Sequence, residues 1–490
     1  MAVPRPVRYR QQAPFDSSFE SLELTMTRPA HFCQRFTVLI PLLFFFIGVV
    51  VCAQNEKRGV LLKSPQACPG YTLIAPFGGQ STFLIDLDGN VVHSWTTERK
   101  PSQAAYLLED GSLLRTAKIP SKTFNIPGGP AGGIQRFSWD GELLWDYVVA
   151  DDHKLSHHDI EPMPDGNVLV VAWELKSRDE ATAAGRDPAK IENNALWPEM
   201  VMEIKPVGKT GGEIVWEWHL WDHLVQSFDK SRPNFGQSAD HPELIDLNYV
   251  DRPGADWIHM NSIDYNSQLD QILLCGRTFD EIWIIDHSTT TAEASGDSGG
   301  RYGQGGDILY RWGNPFAWFA GSPFDQVLFG QHDPHWIPPE LPGAGNILVF
   351  NNGSDRDQRS YSTVDELTPP KNQDGTYLRS GPDAFGPKQL TWQFKDPDKL
   401  YSQRVSGAQR LPNGNTLICS GETGYVFEVD PDGTVVWDYR NTLGATPAHR
   451  NAKDGTSTSL GGVAMFRATR YAPDCSALTG RDLTPKDLTR

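Results

Sequence analysis

A hairpin motif recurs along the whole chain and limits the folds that it can adopt. In each copy an apolar strand leads into a turn of the Asp-x-x-Gly type, and a second strand follows that ends near a tryptophan or tyrosine. Copies span Phe83–Trp95, Ile134–Tyr147, 201–218, 282–312 and Tyr425–Tyr439, and a looser copy spans 361–392. Aspartate and glycine favour tight turns, and the flanking apolar residues favour β-strands. The motif therefore predicts an antiparallel β-protein.

A second hairpin follows each copy of the first. It opens on a polar residue and passes through a Gly-Asn type turn into a buried strand, and its copies start near Gln103, His158, His259, His332, Ser406 and Gly462. Six pairs of hairpins at intervals of about 50 to 80 residues predict an all-β, six-bladed β-propeller. We expect long loop insertions on one face, at 220–256, 287–306, 313–330 and 354–388. A β-solenoid, two sandwiches or a seventh blade are the alternatives.

Composition agrees with a turn-rich β-protein and excludes several partners. The 490 residues include 45 Gly, 36 Pro and 15 Trp, which is not typical of a helical or disordered chain. The formal net charge of −17 argues against nucleic acid and anionic membrane surfaces as partners. The sequence has no P-loop or Gly-rich nucleotide motif, so we predict no nucleotide partner and no cofactor.

The N-terminal segment resembles an export signal. Its apolar run, 37–53, follows two arginines and ends in Val-Cys-Ala, which resembles a small-residue cleavage site. Met26 is an alternative start that gives a signal peptide of conventional length. We therefore predict a signal peptide at 1–53 and a propeller domain at 54–490, in the periplasm or outside the cell. Contact with a membrane is expected only if the segment stays attached.

Export predicts an oxidising compartment, which makes the cysteines informative. Cys68 precedes the first strand of the repeat and Cys475 follows the last, so closure of a ring could bring the two together in a disulfide. Cys275 and Cys419 lie inside apolar strands, where small buried thiols are expected.

Three histidines and one arginine form the candidate site. His158, His259 and His332 open three successive copies of the second hairpin, and each copy enters its strand in a similar way. If this position opens the innermost strand of a blade, the three imidazoles point into one central funnel. Arg277 ends the strand after His259, and a half-buried arginine needs an anionic partner. A single histidine here is more often a turn residue that caps a strand, but three together indicate a site.

Imidazole and guanidinium groups suit the transfer of a tetrahedral oxyanion group. A neutral imidazole is a nucleophile and a proton carrier near pH 7, and an arginine stabilises charge on the oxygens of the transferred group. Sulfuryl or phosphoryl transfer through a loose transition state has these requirements.

Several motifs resemble those of the bacterial arylsulfate sulfotransferases. They are Gln331-His332-Asp333 with Gly345-Asn346 and Asn352-Gly353, then Asp256-Trp257-Ile258-His259-Met260-Asn261-Ser262, and the ending Phe466–Tyr471. The resemblance covers roughly residues 70–485. It implies a six-bladed propeller that moves a sulfuryl group from an aryl sulfate donor to a phenolic acceptor, without a nucleotide and through a sulfohistidine.

The same resemblance implies a role for each site residue. His332 resembles the nucleophile, and His259, Asn261 and Arg277 resemble the group that holds the sulfate. His158 resembles the remaining ligand of the sulfate or phenol, with His157 as the competing assignment.

Two other functions are open at this point. Histidines on a propeller axis can hold a metal ion, and the spacing His332-x-x-His335 could supply two of its ligands. Alternatively, the funnel is a binding site for a sulfated or aromatic ligand in a non-catalytic extracytoplasmic propeller. We predict no metal, because the positive charge of Arg277 disfavours a nearby dication.

Overall fold

The structure is a computed structural model that describes residues 57–250, 254–354, 356, 359–379, 383–444 and 462–486. The segment 1–53, for which a signal peptide is predicted, and the alternative start at Met26 lie outside the described residues. Those predictions therefore stay predictions.

The described residues form twenty-nine strands and two short α-helices. In chain order the strands are β1 (Gly59–Lys63), β2 (Tyr71–Pro76), β3 (Ser81–Ile85), β4 (Val91–Thr96), β5 (Pro101–Leu107), β6 (Leu113–Lys118), β7 (Gly132–Phe137), β8 (Leu143–Val148), β9 (Lys154–Pro162), β10 (Val168–Glu174), β11 (Lys176–Ser177), β12 (Ala195–Leu196), β13 (Glu199–Val207), β14 (Gly211–His219), β15 (Leu224–Val225), β16 (Ile245–Asp246), β17 (Met260–Asn266), β18 (Gln271–Gly276), β19 (Glu281–Asp286), β20 (Tyr310–Trp312), β21 (His332–Trp336), β22 (Ile347–Asn351), β23 (Thr363–Leu367), β24 (Trp392–Lys395), β25 (Gly407–Arg410), β26 (Thr416–Ser420), β27 (Tyr425–Val429), β28 (Val435–Arg440) and β29 (Met465–Tyr471). The helices are α1 (Arg178–Ala183) and α2 (Thr291–Ala294), and each begins with a capping box.

Six antiparallel sheets make six blades, which confirms the predicted all-β, six-bladed β-propeller. From the hub outwards they are β29-β2-β3-β4, β5-β6-β7-β8, β9-β10-β13-β14, β17-β18-β19-β20, β21-β22-β23-β24 and β25-β26-β27-β28. The first strand of each blade contacts the first strands of its neighbours around the hub. Each of blades two to six is one copy of the second hairpin followed by one copy of the first.

Both ends of the chain close the ring. The last strand, β29, pairs with β2 and supplies the innermost strand of blade one. The first strand, β1, pairs with β28 and adds a fifth strand to blade six. Neither pairing can be read from the local repeat, because the partners are hundreds of residues apart in sequence.

A tryptophan in the fourth strand of every blade bonds to the next blade. Each indole N–H donates to a backbone carbonyl at the connection between the third and fourth strands of that neighbour. The six bonds are Trp95 to Ser138 (3.0 Å), Trp145 to Gly211 (2.8 Å), Trp218 to Gly306 (2.7 Å), Trp312 to Pro387 (3.0 Å), Trp392 to Pro431 (3.0 Å) and Trp437 to Leu87 (2.9 Å). The tryptophans that end the hairpin motif thus fix the spacing of the blades.

Apolar side chains fill the spaces between blades and separate two cysteines. Cys68 belongs to the cluster between blades six and one, whereas Cys475 packs against the cluster between blades one and two. They lie on opposite sides of blade one, and both are free thiols. Closure of the ring therefore does not bring them together in a disulfide. Cys275 and Cys419 are buried free thiols, as predicted.

The long insertions leave the sheets at both ends. Neighbouring antiparallel strands run in opposite directions, so connections before a first strand and before a fourth strand lie at opposite ends of a blade. Residues 313–331 lead into the first strand β21, whereas 287–309 lead into the fourth strand β20. Residues 368–391 also lead into a fourth strand, and the carbonyl of Gly375 there accepts from Gln271 at 3.3 Å. The insertions are thus divided between the two faces rather than gathered on one.

A buried charge cluster at the hub joins four blades. Arg467 of blade one pairs with Asp159 of blade three and with Asp333 of blade five, the latter at 3.0 Å. The guanidinium also donates to the hydroxyl of Tyr106 in blade two at 3.1 Å. The two aspartates are 0% and 6% exposed, so this arginine is the shared ion-pair partner of two buried carboxylates.

Candidate active site

The innermost strands are bulged where they enter the hub. The pairing register shifts within β9 next to His158, within β17 after Met260 and within β21 after His332. His158, His259 and Asp333 have positive φ angles of 48°, 55° and 57°. Such bulges redirect side chains, and they are common beside active sites. The three histidines occupy three different positions relative to the hydrogen bonds that pair the first and second strands of their blades. The bulges nevertheless bring their rings to one place.

One cavity at the hub contains the predicted catalytic residues. It has a volume of about 890 Å³, and His158, His259, Arg277 and His332 all line it. The other lining residues are Phe77, Gln103, Lys118, Ile119, Pro120, Ser121, Phe124, Asn125, Ile126, Pro127, Gly128, Gly129, Pro130, Gln403, Arg404 and Val405. The loop between β6 and β7 therefore supplies much of one wall.

Hydrogen bonds fix the tautomer of His332. Its Nδ1 lies 2.7 Å from Oδ1 of Asn352 and 3.1 Å from the carbonyl oxygen of Gly330. Both partners only accept, so Nδ1 carries the proton and donates it. The backbone N–H of Val405 donates to Nε2 at 3.1 Å, so Nε2 holds a lone pair. His332 is thus positioned as a neutral imidazole with an unprotonated Nε2.

Burial favours the same neutral state of His332. It lowers the pKa of His332 well below its ordinary value of 6.5, and the positive charge of Arg277 lowers it further. Arg277 begins a 3-10 helix, Arg277–Phe279, directly after β18, and it is half-buried at the cavity wall. The imidazole therefore keeps its lone pair at neutral and mildly acidic pH.

His158 is held by a second histidine behind it. Its Nδ1 lies 2.8 Å from Nδ1 of His157, and Nε2 of His157 lies 2.7 Å from a carboxyl oxygen of Glu199. His157 is 0% exposed and its ring stacks on Trp173 with centroids 3.9 Å apart. Burial lowers the pKa of His158 well below its ordinary value, and the neighbouring His259 lowers it further.

His259 completes the histidine cluster. Its ring centroid lies 4.5 Å from that of His158, with the planes at 73°. Its Nδ1 lies 2.5 Å from Oδ2 of Asp256, which accepts the Nδ1 proton. This bond orients the ring. As a result, Nε2 is the nitrogen that can contact a molecule in the cavity.

Two residues predicted to bind substrate lie behind the cavity wall. The side chain of Asn261 is 0% exposed and donates to the carbonyl of Gln331 at 2.8 Å. That bond supports the residue next to His332. His157 contacts His158 and Glu199, as described above. Neither Asn261 nor His157 is among the residues that line the cavity.

The cavity has a positive lining in an acidic protein. Lys118, Arg277 and Arg404 face it, and among the described residues that line it none is an aspartate or glutamate. The whole chain carries a formal charge of −17. Cationic and neutral hydrogen-bonding groups in a walled cavity favour an anionic ligand.

Sequence reasoning missed three residues that the structure connects to the histidines. They are Asn352, which accepts from His332, Glu199, which bonds to His157, and Gly129, whose carbonyl accepts from the backbone N–H of His158 at 2.9 Å. Asn352 lies in an Asn-Gly pair that the sequence did show. Glu199 has no local signal, because it is 42 residues from its partner.

The described part of the chain contains no group of three or more His, Cys, Asp or Glu side chains placed to hold a metal ion. His335, the second histidine of the His-x-x-His spacing, bonds through Nδ1 to the carbonyl oxygen of Asp333 at 3.0 Å. It does not line the cavity with His332.

Some solved structures resemble the fold at low sequence identity. A protein of unknown function from Bacteroides caccae is 13% identical, with a TM-score of 0.43, and the match covers 82% of this chain and 98% of that chain. Virginiamycin B lyase from Staphylococcus aureus is 12% identical, with a TM-score of 0.35 and coverage of 79% and 86%. The β-propeller domain of Cps50 (Swd1) from Myceliophteria thermophila is 10% identical, with a TM-score of 0.37 and coverage of 79% and 91%.

No curated protein matches the chain significantly. Within the described ranges, no helix has the length and apolar character needed to cross a membrane.

A family model does match most of the chain. The model of the arylsulfotransferases (ASST) matches residues 77–435, which include the four predicted catalytic residues and four complete blades of the propeller, blades two to five. This match agrees with the resemblance of the His332 and His259 motifs. The chain therefore belongs to the arylsulfotransferase (ASST) family, whose general activity is sulfuryl transfer.

Proposed function

We propose that this protein transfers a sulfuryl group from an aryl sulfate to a phenolic acceptor, by a ping-pong mechanism through a sulfohistidine on His332 and without a nucleotide. Family membership supports sulfuryl transfer in general. The observation that carries the finer proposal is the lone pair on Nε2 of His332. The hydrogen bond between Nδ1 and Asn352 fixes the tautomer that leaves this lone pair on Nε2. His332 lines a cavity in which none of the described lining residues is a carboxylate.

In the first half-reaction, Nε2 of His332 attacks the sulfur of the donor. The N–S bond forms as the bond from sulfur to the phenolic oxygen breaks, and the aryl group leaves as phenoxide. The bond from the N–H of Val405 to Nε2 must open for this attack. Negative charge on the sulfuryl oxygens is stabilised by Arg277, as a loose transition state requires, and His158 and His259 line the same cavity.

In the second half-reaction, the oxygen of the acceptor phenol attacks the same sulfur. The N–S bond of the sulfohistidine breaks and His332 recovers its lone pair. Donor and acceptor bind in turn, so one cavity serves both aromatic rings. Phe77, Phe124 and Ile126 provide apolar surface on its wall, which suits an aryl group.

The test compares two histidines of β21. His332→Asn keeps a side-chain amide that can donate to Asn352 but has no nucleophilic imidazole. With 4-nitrophenyl sulfate as donor and phenol as acceptor, we expect its turnover to fall at least about 10³-fold. His335→Asn, three residues further along and off the cavity, is expected to stay close to wild type.

Two results would contradict the proposal. A His332→Asn protein with wild-type turnover would exclude His332 as the nucleophile. A wild-type protein that binds aryl sulfate but never cleaves it would instead favour a non-catalytic binding propeller.

A further inference from the structure

Behind His158 lies a buried chain of three titratable side chains, which we name the buried relay: Glu199, His157 and His158. Oε2 of Glu199 lies 2.7 Å from Nε2 of His157, and Nδ1 of His157 lies 2.8 Å from Nδ1 of His158. Glu199 and His157 are 0% exposed and His158 is 2% exposed. The chain leads from the interior to the cavity, and Glu199 belongs to β13 rather than to an innermost strand.

The two contacts couple the carboxyl group to the outer nitrogen of His158. Between two imidazole nitrogens at hydrogen-bond distance, one must donate and the other must accept. If Glu199 is protonated, it donates to His157, His157 donates to His158, and His158 presents an Nε2–H to the cavity. If Glu199 is ionised, all donors and acceptors reverse, and His158 presents a lone pair. The state of Glu199 therefore decides whether His158 is an acid or a base.

Burial keeps the resting relay neutral. It raises the pKa of Glu199 well above its ordinary value, and it lowers the pKa of His157 to about 3. The charged group that faces both from the adjacent segment is Asp256, and the backbone N–H of Met260 donates to the other carboxyl oxygen of Glu199 at 2.8 Å. His259, His332 and Arg277 face His158. Because a charged imidazolium is costly in such a place, the proton resides on the carboxyl group.

The proposed reaction needs this kind of proton carrier. The donor leaves as phenoxide and must gain a proton to depart as phenol, whereas the acceptor phenol must lose one. Over the two half-reactions together, no proton is gained or lost. After the first half-reaction and before the second, however, the enzyme lacks the proton that the departing phenol has taken. A carrier behind the cavity wall can meet this need without exchange with water.

We propose that Glu199, acting through His157 and His158, donates the proton that the departing phenoxide takes and recovers it from the acceptor phenol. The inference rests on the sulfuryl transfer proposed above. In the first step Nε2 of His158 gives its proton to the phenoxide oxygen, Nδ1 of His158 takes the proton of His157, and Nε2 of His157 takes that of Glu199. The second half-reaction reverses each transfer. Glu199 and His157 are positioning residues, since only His158 contacts substrate.

The dependence on the leaving group separates this role from a purely structural one. 4-Nitrophenoxide is a weak base and can leave without a proton, whereas the phenoxide of phenyl sulfate is a strong base and needs one. In a two-step mechanism, kcat/KM for the donor reports only the first half-reaction. Wild type is therefore expected to differ little between the two donors.

The first variant is Glu199→Gln, which keeps the shape and one hydrogen bond but cannot release a proton. We expect kcat/KM for phenyl sulfate to fall about 10²-fold, and that for 4-nitrophenyl sulfate to change by less than about threefold. The matched control is Glu203→Gln, because Glu203 is on the same strand and bonds to another histidine, His287, at 3.1 Å. It should leave both donors unchanged.

The second variant is His157→Asn, which can still bond to His158 but cannot pass a proton to Glu199. Its kcat/KM should likewise fall for phenyl sulfate and change little for 4-nitrophenyl sulfate. If Glu199→Gln does not fold, this variant alone tests the relay. Equal losses for both donors, no loss in either variant, or a steep leaving-group dependence in wild type would each overturn the relay alone. A wild-type protein that transfers no sulfuryl group would overturn the proposed function as well.

Discussion

The side-chain oxygen of Asn352 lies 2.7 Å from Nδ1 of His332, and it can only accept there. The amide nitrogen of Asn352 donates to the carbonyl of Ser402 at 2.8 Å and to that of Val405 at 3.0 Å. These two bonds fix which end of the amide faces the imidazole. One buried asparagine thus sets the tautomer of the proposed nucleophile and holds the Val405 loop beside it.

Asn352→Ala should therefore impair chemistry more than binding. Only the longer contact of Nδ1 with the carbonyl of Gly330 then remains, so the ring of His332 is held less firmly, and we expect kcat with 4-nitrophenyl sulfate to fall about 10²-fold. KM should change by less than about threefold, since Arg277 and His259 stay in place. The control is Asn351→Ala, an equally buried neighbour whose amide bonds to Val327 and Asp365 instead. A loss of kcat in Asn351→Ala equal to that in Asn352→Ala would contradict the prediction.

Two adjacent glycines test the wall of the cavity. Gly128 and Gly129 have nearly the same φ, +83° and +84°, so alanine is similarly strained at either position. A Cβ at Gly129 would lie 2.3 Å from Cε1 of His158, whereas a Cβ at Gly128 meets nothing within 4 Å. We expect Gly129→Ala to reduce kcat/KM at least about tenfold by displacing His158, and Gly128→Ala to retain it. Similar kinetics in both variants would mean that the position of His158 does not matter.

The pH dependence of the first half-reaction should reflect a buried nucleophile. An exposed imidazole with a pKa of about 6.5 is about nine-tenths protonated at pH 5.5 and would lose reactivity about tenfold. Burial lowers the pKa of His332 well below that value, so the neutral form persists as the pH falls. We expect single-turnover release of 4-nitrophenol to be flat between about pH 7 and pH 5.5. A titration centred near pH 6.5 would show that the nucleophile is exposed.

The hub charge cluster should be important for stability. Arg467→Met leaves Asp159 and Asp333 without their shared cation, and breaking a buried pair in this way typically costs about 3–5 kcal/mol. Chemical denaturation should show a loss of this size in the free energy of unfolding. Arg136→Met is the control, since it breaks an exposed pair with Asp110 and should cost less than about 1 kcal/mol. Equal losses would contradict the assignment of the hub as a structural centre.

The architecture could be predicted because its signals are local. In the turns at Asp86 and Asp430, the aspartate side chain accepts from backbone N–H groups two and four residues on, and Gly89 and Gly433 have positive φ. The number of such turns therefore predicted the number of blades. What was missed depends on distant pairing: Cys68 and Cys475 both flank the repeat, but blade one lies between them.

The candidate site was predictable only for residues within motifs. His158, His259 and His332 open successive copies of the second hairpin, Arg277 ends the strand after His259, and all four line one cavity. Glu199 could not be found in this way, because an outer strand places it against His157. The bulges were also invisible, because one or two extra residues in an innermost strand leave no signature in the sequence.

The most direct measurement is mass spectrometry of the protein mixed with 4-nitrophenyl sulfate in the absence of an acceptor. We expect one sulfuryl group on the peptide that contains His332, its absence from His332→Asn, and its loss when phenol is added. Turnover without any such adduct, or an adduct on another residue that phenol discharges, would show that His332 does not carry the sulfuryl group.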